Sequence, residues 1–430
     1  MTDREWLARL EWFGIKLGLG TTFELVAALH HPERAYPVLH VAGTNGKGSV
    51  VAMIARALEA SGRRTGRYTS PHLVHLEERF AVDGTPVSPA SLDRALAAVR
   101  GAVADRALRQ PGTPEPTYFE VTTAAAFEIF RDAEVQVAVV EVGLGGRFDA
   151  TNVVSPQVTV ITSIDFDHEA HLGRTLESIA AEKAGIIKRG VPVVVGPLDA
   201  AALAVVTEVA RAAGAPMVTT AGSSRVEAAP AAGGRREVVI HTERGRYGPL
   251  TLALAGNHQV DNAAVAVLAL ELLDQRGLHV TTADIVAGLS DLRWPGRLDM
   301  RHLGDRSVLV DGAHNPSGAR ALADYLGEVF PDGLPIVFGV MADKVVEPML
   351  AQLARFARPL VLTRAPGRRA ADPETLAAVA RSLALPPDVV VAPDIGAALD
   401  LAWRHGPTIV VAGSLYLAGD VLRRIESDRV

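Results

Sequence analysis

The stretch His40-Val41-Ala42-Gly43-Thr44-Asn45-Gly46-Lys47-Gly48-Ser49-Val50 runs a short apolar strand into a glycine-rich turn that carries one lysine and a hydroxyl. This is the layout of a triphosphate cradle. Glycines let backbone N–H groups converge on phosphate oxygens, the lysine adds a fixed charge, and a hydroxyl at a helix start can reach a magnesium ion. The spacing departs from G-x-x-x-x-G-K-[ST], because Gly48 separates Lys47 from Ser49. A generic ATPase or GTPase therefore fits less well than a more specialised nucleotide-using enzyme.

Composition sharpens this. Of 43 basic residues only five are lysines, at positions 16, 47, 183, 188 and 344. A lysine retained in an arginine-biased chain is a candidate for work that arginine cannot do, as a compact point charge or a deprotonatable amine. Asparagine is equally scarce, at 45, 152, 257, 262 and 315, each inside a segment notable on other grounds. The absence of cysteine excludes disulfides, thiol catalysis and thiolate metal sites, leaving oxygen and imidazole ligands. A net charge of −6 argues against a nucleic-acid surface. The charged start Met1–Trp6 shows no secretory pattern, and no apolar run reaches membrane-spanning length, so a cytoplasmic protein without a membrane partner is expected.

Apolar β-branched runs at 38–41, 137–142, 158–161 and 191–195 alternate with Ala/Leu-rich stretches such as 50–60 and 175–187. Continuous hydrophobicity in the strands with helices between them predicts an α/β fold with a mostly parallel sheet covered on both faces. Polar, glycine-rich sequence at about 215–255 predicts a small β appendage. Pro295-Gly296 breaks the pattern, and alternation restarts at 308–310, 336–340, 360–363, 389–391 and 409–412. Two domains, 1–292 and 293–430, are expected, with ligands in the crevice between them.

Open α/β sheets bind ligands beyond the carboxyl ends of their strands. After successive strands come the phosphate loop, Thr69-Ser70-Pro71-His72, the run from Glu141 to Asn152, and Asp165-Phe166-Asp167-His168. Magnesium prefers oxygen ligands together with phosphate and water, which makes Ser70, Glu141 and His168 the candidate metal ligands. Lys183 lies in a largely apolar helical stretch, where residue type alone reads as a snorkelling or ion-paired lysine.

Together the phosphate-loop motif, Thr69-Ser70-Pro71-His72-Leu73, the Glu141–Asn152 run, Asp167-His168 followed by Leu172-Gly173, Glu182-Lys183-Ala184-Gly185-Ile186, and Asp311-Gly312-Ala313-His314-Asn315-Pro316 resemble the folylpolyglutamate synthase/dihydrofolate synthase family of the Mur ligase superfamily. The resemblance covers nearly the whole chain in order. It implies a Mur-ligase-like fold: a P-loop domain with its β appendage, then a smaller Rossmann-like C-terminal domain. It also implies an ATP-dependent ligase that adds L-glutamate to dihydropteroate or reduced folates through an acyl phosphate. The alternatives are an enzyme limited to polyglutamylation, another Mur-type amino-acid ligase, or a non-catalytic nucleotide switch.

By the same resemblance, Thr44, Asn45, Gly46, Lys47, Gly48 and Ser49 would cradle ATP. Asn262, Arg297 and Asp311 would contact it near the hinge. Ser70, Glu141 and His168 would hold Mg2+. Lys183 matches a position that is carbamylated in the family, able to bind a second ion. Lys47, Lys183, Asp311 and His314 are the expected catalytic residues. His314, Lys344 and Ser414 resemble the glutamate side, and Thr117, Tyr118, Phe119, Glu120, Phe148, Asp149 and Ala150 the pterin side, with Asp149 accepting hydrogen bonds from the pterin edge. Phe148 stands where many relatives carry leucine. The partners are small molecules, and a monomer is expected.

Overall fold

A computed structural model of the chain describes residues 1–11, 16, 18–109, 113–383 and 387–427. Its centre is an eight-stranded sheet ordered β4-β3-β2-β5-β1-β6-β7-β8. The strands are β1 (Val38–Ala42), β2 (Thr65–Tyr68), β3 (Phe80–Val82), β4 (Thr85–Pro86), β5 (Val137–Glu141), β6 (Val158–Ile161), β7 (Val193–Val195) and β8 (Met217–Thr219). Six of these pair in parallel, while β3 and β4 form an antiparallel edge. Every residue of β1, β5 and β6 is buried. The continuous apolar runs therefore mark strands covered on both faces.

Alternation along β1 feeds two cores. Leu39 and Val41 pack with Met53, Ile54 and Val267 on one face, and Val38 packs with Phe127 and Phe130 on the other. His40 is buried among them, with Nε2 at 2.8 Å from the Thr151 hydroxyl. Burial pushes this imidazole down to about 3, so it stays neutral and serves as a core hydrogen-bonding group.

A three-stranded antiparallel sheet follows, of β9 (Ser224–Pro230), β10 (Arg236–Thr242) and β11 (Arg246–Thr251). The expected appendage begins later than its composition suggests, because Met217–Thr219 pairs in parallel with β7 as an edge strand of the large sheet. Only partly buried there, it lacks the apolar signature of its neighbours.

The second large sheet is ordered β12-β13-β17-β14-β15-β16. Its strands are β12 (Asp299–Leu303), β13 (Arg306–Val310), β14 (Leu334–Phe338), β15 (Ala357–Leu362), β16 (Val389–Val391) and β17 (Thr408–Ala412). All pair in parallel except β12, an antiparallel edge strand whose mixed polarity gave no strand signal. Polar contacts tie this part to the appendage. The Arg236 guanidinium, nearly buried, grips Glu328, and the Tyr325 hydroxyl donates to the Gly233 carbonyl at 3.3 Å.

Two helices begin or end differently from their apolar patterns. The helix Lys47–Ala60 starts three residues before the apolar run, because Gly46 at φ +84° turns the chain directly into it. This places Lys47 and Ser49 in the first turn. The helix Leu176–Ala184, capped by Thr175, stops at Gly185, where the backbone of Arg147 crosses closely. A Cβ at 185 would lie 2.6 Å from Arg147 Cα. Gly185→Ala is accordingly expected to destabilise the fold by about 2 kcal/mol through overpacking, read as a lowered urea midpoint.

Candidate active site

The site is built at the carboxyl ends of β1, β5 and β6. Gly43 leaves β1 at φ +156° with a Cβ position only 1.9 Å from Thr162 Oγ1, so no other residue fits this turn. The loop after β6 braces the phosphate loop. The Thr44 amide donates to the Ser163 carbonyl at 2.7 Å, the Asn45 amide to Ser163 Oγ at 3.0 Å, and the Thr162 hydroxyl to the Asn45 carbonyl at 2.6 Å. At Gly46 a Cβ would sit 2.3 Å from Asn262 Oδ1. At Gly48 it would press on the Trp294 indole at 3.2 Å, and the Arg67 guanidinium lies over that ring, 4.8 Å from its centroid. Each glycine thus lets a different partner approach the loop.

Two lysines meet here. Lys47 Nζ donates to the carbonyls of Gly43 and Thr44 at 3.0 and 3.1 Å, and Lys183 Nζ donates to the same Gly43 carbonyl at 2.8 Å. Lys183 is buried and among the described residues forms no ion pair with a carboxylate, although residue type favoured a snorkelling or ion-paired side chain. Burial first, and the Lys47 charge second, push its amine down to about 7. Burial also lowers Lys47, against the pull of Glu141 and Asp167.

Glu141, at the end of β5, is buried and accepts the Ser70 amide at 3.1 Å. Burial raises its carboxyl, while Lys47, Arg297 and Arg79 act to keep it charged. His168 adopts a left-handed backbone at φ +52°, and burial outweighs the attraction of Asp167 to bring its ring down to about 4. Among the described residues no three His, Asp or Glu side chains form a cage. Glu141 and Ser70, joined through the Ser70 amide, carry the hard oxygen donors that suit magnesium, whose shell is completed by phosphate and water.

Asn262 reaches the loop at Gly46 and donates to Gln259 Oε1 at 2.9 Å, and Gln259 Nε2 lies 3.3 Å from Ser49 Oγ. Arg297 follows the Pro295-Gly296 break and packs against Gly312. Asp311 accepts the amides of Leu298 and Ala313, both at 2.8 Å, so its carboxylate fixes the backbone around Arg297. His314 Nδ1 donates to the Gly312 carbonyl at 2.7 Å, leaving Nε2 3.5 Å from Asp167 Oδ2. Lys344 is nearly buried, with Nζ 2.5 Å from Asp167 Oδ1. Ser414 is buried and accepts the Tyr416 amide at 3.1 Å.

On the expected pterin side, three polar groups are engaged locally. Thr117 and Glu120 cap each other's amides at the start of the helix Tyr118–Asp132. Asp149, expected to accept hydrogen bonds from the pterin edge, accepts the Leu144 and Thr151 amides and the Thr151 hydroxyl at 2.7, 3.0 and 2.5 Å. Buried Ala150 starts the short turn that Asp149 caps. What this side offers a ring is aromatic: Tyr118 beneath the Arg79 guanidinium at 5.3 Å, Phe119 against Gly143, and exposed Phe148.

Sequence reasoning did not assign roles to Asp167, Asn315, Ser163, Gln259 or Trp294. Asn45 Nδ2 donates to Ser317 Oγ at 2.6 Å, and Asn315 Nδ2 donates to Asn45 Oδ1 at 3.0 Å. The scarcity of asparagine was the available signal for Asn315, and the Asp167-His168 dipeptide for Asp167. Gln259 carried none.

Two family profiles match the chain: Mur ligase middle domain over residues 41–270, and Mur ligase, glutamate ligase domain, over 296–415. The dihydrofolate synthase/folylpolyglutamate synthase of Bacillus subtilis is 35% identical over 433 residues, covering 98% of each chain. That of Mycobacterium tuberculosis is 38% identical over 392 residues, 88% of this chain and 80% of the relative. Among solved structures, M. tuberculosis folylpolyglutamate synthase complexed with ADP and AMPPCP superposes with a TM-score of 0.90 at 35% identity, covering 98% of this chain and 99% of that one. E. coli FolC in complex with DHPP and ADP gives 0.88 at 30% identity, covering 100% and 99%.

The Lys183 environment has a thermodynamic signature. The amine is held near 7 in the fold against 10.5 in an unfolded chain, so the unfolded state binds more protons between those values and stability rises with pH across that window. In CO2-free buffer, Lys183→Met should be more stable than the unmodified protein by a constant margin below about pH 7. That margin should shrink toward zero near pH 10.5, as followed by urea unfolding at several pH values.

Proposed function

The chain belongs to the folylpolyglutamate synthase/dihydrofolate synthase family of Mur ligases, and from that membership we propose how its own residues carry out ATP-dependent addition of glutamate to folates. The observation that carries the reading is the pair of lysines on the Gly43 carbonyl: a phosphate-loop charge beside an amine with its basicity suppressed.

The loop from Gly43 to Ser49 receives the triphosphate, with Lys47 exchanging its two backbone carbonyls for phosphate oxygens. Asn262 and Arg297 hold the nucleotide from the hinge side, and Asp311 keeps Arg297 in place through the Leu298 amide. The folate or pteroate carboxylate attacks the γ-phosphorus and ADP leaves, giving an acyl phosphate. The glutamate amine then attacks that carbonyl, and phosphate departs as the amide forms. Positioning and charge neutralisation supply most of the acceleration. Ser70, Glu141 and His168 are the residues that would hold magnesium, and Lys183 as its carbamate would hold a second ion. When bound, these ions withdraw charge from the phosphate oxygens. The carbamate forms as neutral Nζ adds to the carbon of CO2 and releases a proton, which an amine titrating near 7 allows at physiological pH.

Glutamate docks on the second domain, which begins after residue 292, at His314, Lys344 and Ser414. The pterin lies against Tyr118, Phe119 and Phe148. Asp149 shapes the loop that presents Phe148 and offers its remaining acceptor capacity to the pterin edge. Among the described residues no helix is long and apolar enough to cross a membrane. A cytoplasmic monomer without nucleic-acid partners completes the reading.

The test is ADP release with ATP, Mg2+ and glutamate, comparing dihydropteroate and tetrahydrofolate as acceptors. Release is expected with both; tetrahydrofolate alone would restrict the enzyme to polyglutamylation, and silence with both would remove the proposal. Glu141→Ala should cut turnover by at least about a hundredfold. Lys183→Ala should lose activity that millimolar acetate partly restores, as measured by the same assay.

A further inference from the structure

Asp167 has no part in the mechanism above, yet it is among the most heavily engaged side chains between the two large sheets. It follows β6, and its carboxylate is nearly buried. Oδ1 receives Lys344 Nζ at 2.5 Å and the His168 amide at 2.8 Å. Oδ2 receives Asn315 Nδ2 at 3.1 Å and lies 3.5 Å from His314 Nε2 and 3.9 Å from His168 Nε2. Lys344, His314 and Asn315 all stand at the carboxyl ends of strands in the second sheet, where such sheets bind ligands. A lysine, an amide donor and a histidine around one anion form a carboxylate-binding set, and here the protein fills it with its own carboxylate.

We propose that Asp167 is an internal stand-in for a carboxylate of the incoming amino acid, holding Lys344 until the substrate displaces it. The inference rests on the assignment of Lys344 to glutamate given above. Two carboxylates on one nearly buried ammonium repel each other, so the substrate carboxylate competes with Asp167 for Lys344. Asp167 is then a positioning residue with two effects. It keeps Lys344 and His314 in place in the empty site, and it competes with the amino acid for them. An amino acid lacking a carboxylate that reaches Lys344 could not make the exchange, so Asp167 also tightens selection.

The test compares Asp167→Asn and Lys344→Met by the KM for glutamate, with the KM for ATP as an internal control. Asparagine keeps an oxygen for the Asn315 amide and removes the competing charge. Asp167→Asn is expected to lower the KM for glutamate about fivefold with the KM for ATP unchanged, and Lys344→Met to raise the KM for glutamate at least about tenfold. In the Lys344→Met background, Asp167→Asn should no longer change it. A raised or unchanged KM for glutamate in Asp167→Asn, with Lys344→Met still raised, overturns the stand-in while leaving Lys344 as a glutamate contact. An unchanged KM in Lys344→Met overturns that contact and the stand-in with it. Should Asp167→Asn fail to fold, a crystal structure of the unmodified protein with glutamate and AMPPCP decides the matter. Lys344 on a substrate carboxylate and off Asp167 supports the exchange, and Lys344 still on Asp167 refutes it.

Discussion

One carbonyl oxygen, that of Gly43, organises the site. It points back from the phosphate loop and takes hydrogen bonds from both Lys47 and Lys183. That convergence needs Gly43 in a conformation closed to other residues, Thr162 packed beneath it, and a helix from a distant part of the chain laid alongside with its lysine facing inward. Two positive groups brought this close, with little water, cannot both hold their protons easily. Burial lowers both amines, Lys47 against the pull of Glu141 and Asp167 and Lys183 against that of Asp167 and Asp149, and the Lys47 charge adds to the lowering of Lys183. Packing thus suppresses the basicity of the Lys183 amine, which burial holds near 7.

The second organising constraint is that the site is split between two sheets. The phosphate loop and the carboxylates after β5 and β6 belong to the first, and His314, Asn315 and Lys344 to the second. The two are joined by polar side-chain contacts, asparagine to asparagine at 45 and 315 and one aspartate to three partners, and by Leu73 and Val74, which pack against the core of the second sheet. At the polar contacts water can replace a partner, whereas separating Leu73 and Val74 from the core would expose apolar surface.

Much of this was legible in the chain. Buried parallel strands announce themselves by unbroken apolar runs, and the chemistry follows at their carboxyl ends, so the phosphate loop, Ser70, Glu141 and His168 could be named without coordinates. Edge strands could not, since β8 and β12 are half exposed and mixed in polarity. Asp149, Thr117 and Glu120 were legible in a different sense. Thr117-Tyr118-Phe119-Glu120 has the spacing of a capping box, and Asp149 two residues before Thr151 is an Asx turn, local motifs that satisfy polar groups before a ligand arrives. The pairing of Asp167 with Lys344 spans 177 positions and leaves no local pattern at all.

Trp294 has a mechanical meaning. Its indole lies against Gly48 and under Arg67, so the last residue before the Pro295-Gly296 break is anchored to the nucleotide side. A swing of the second sheet about this break would pivot just beyond it, at Gly296 with its φ of +70°. Arg297, one residue from the pivot, would travel a short arc, and Lys344, carried on a distant strand end, a long one. In such a swing the residues around Arg297 would stay near the phosphate loop while the Lys344 end of the second sheet moved away from it.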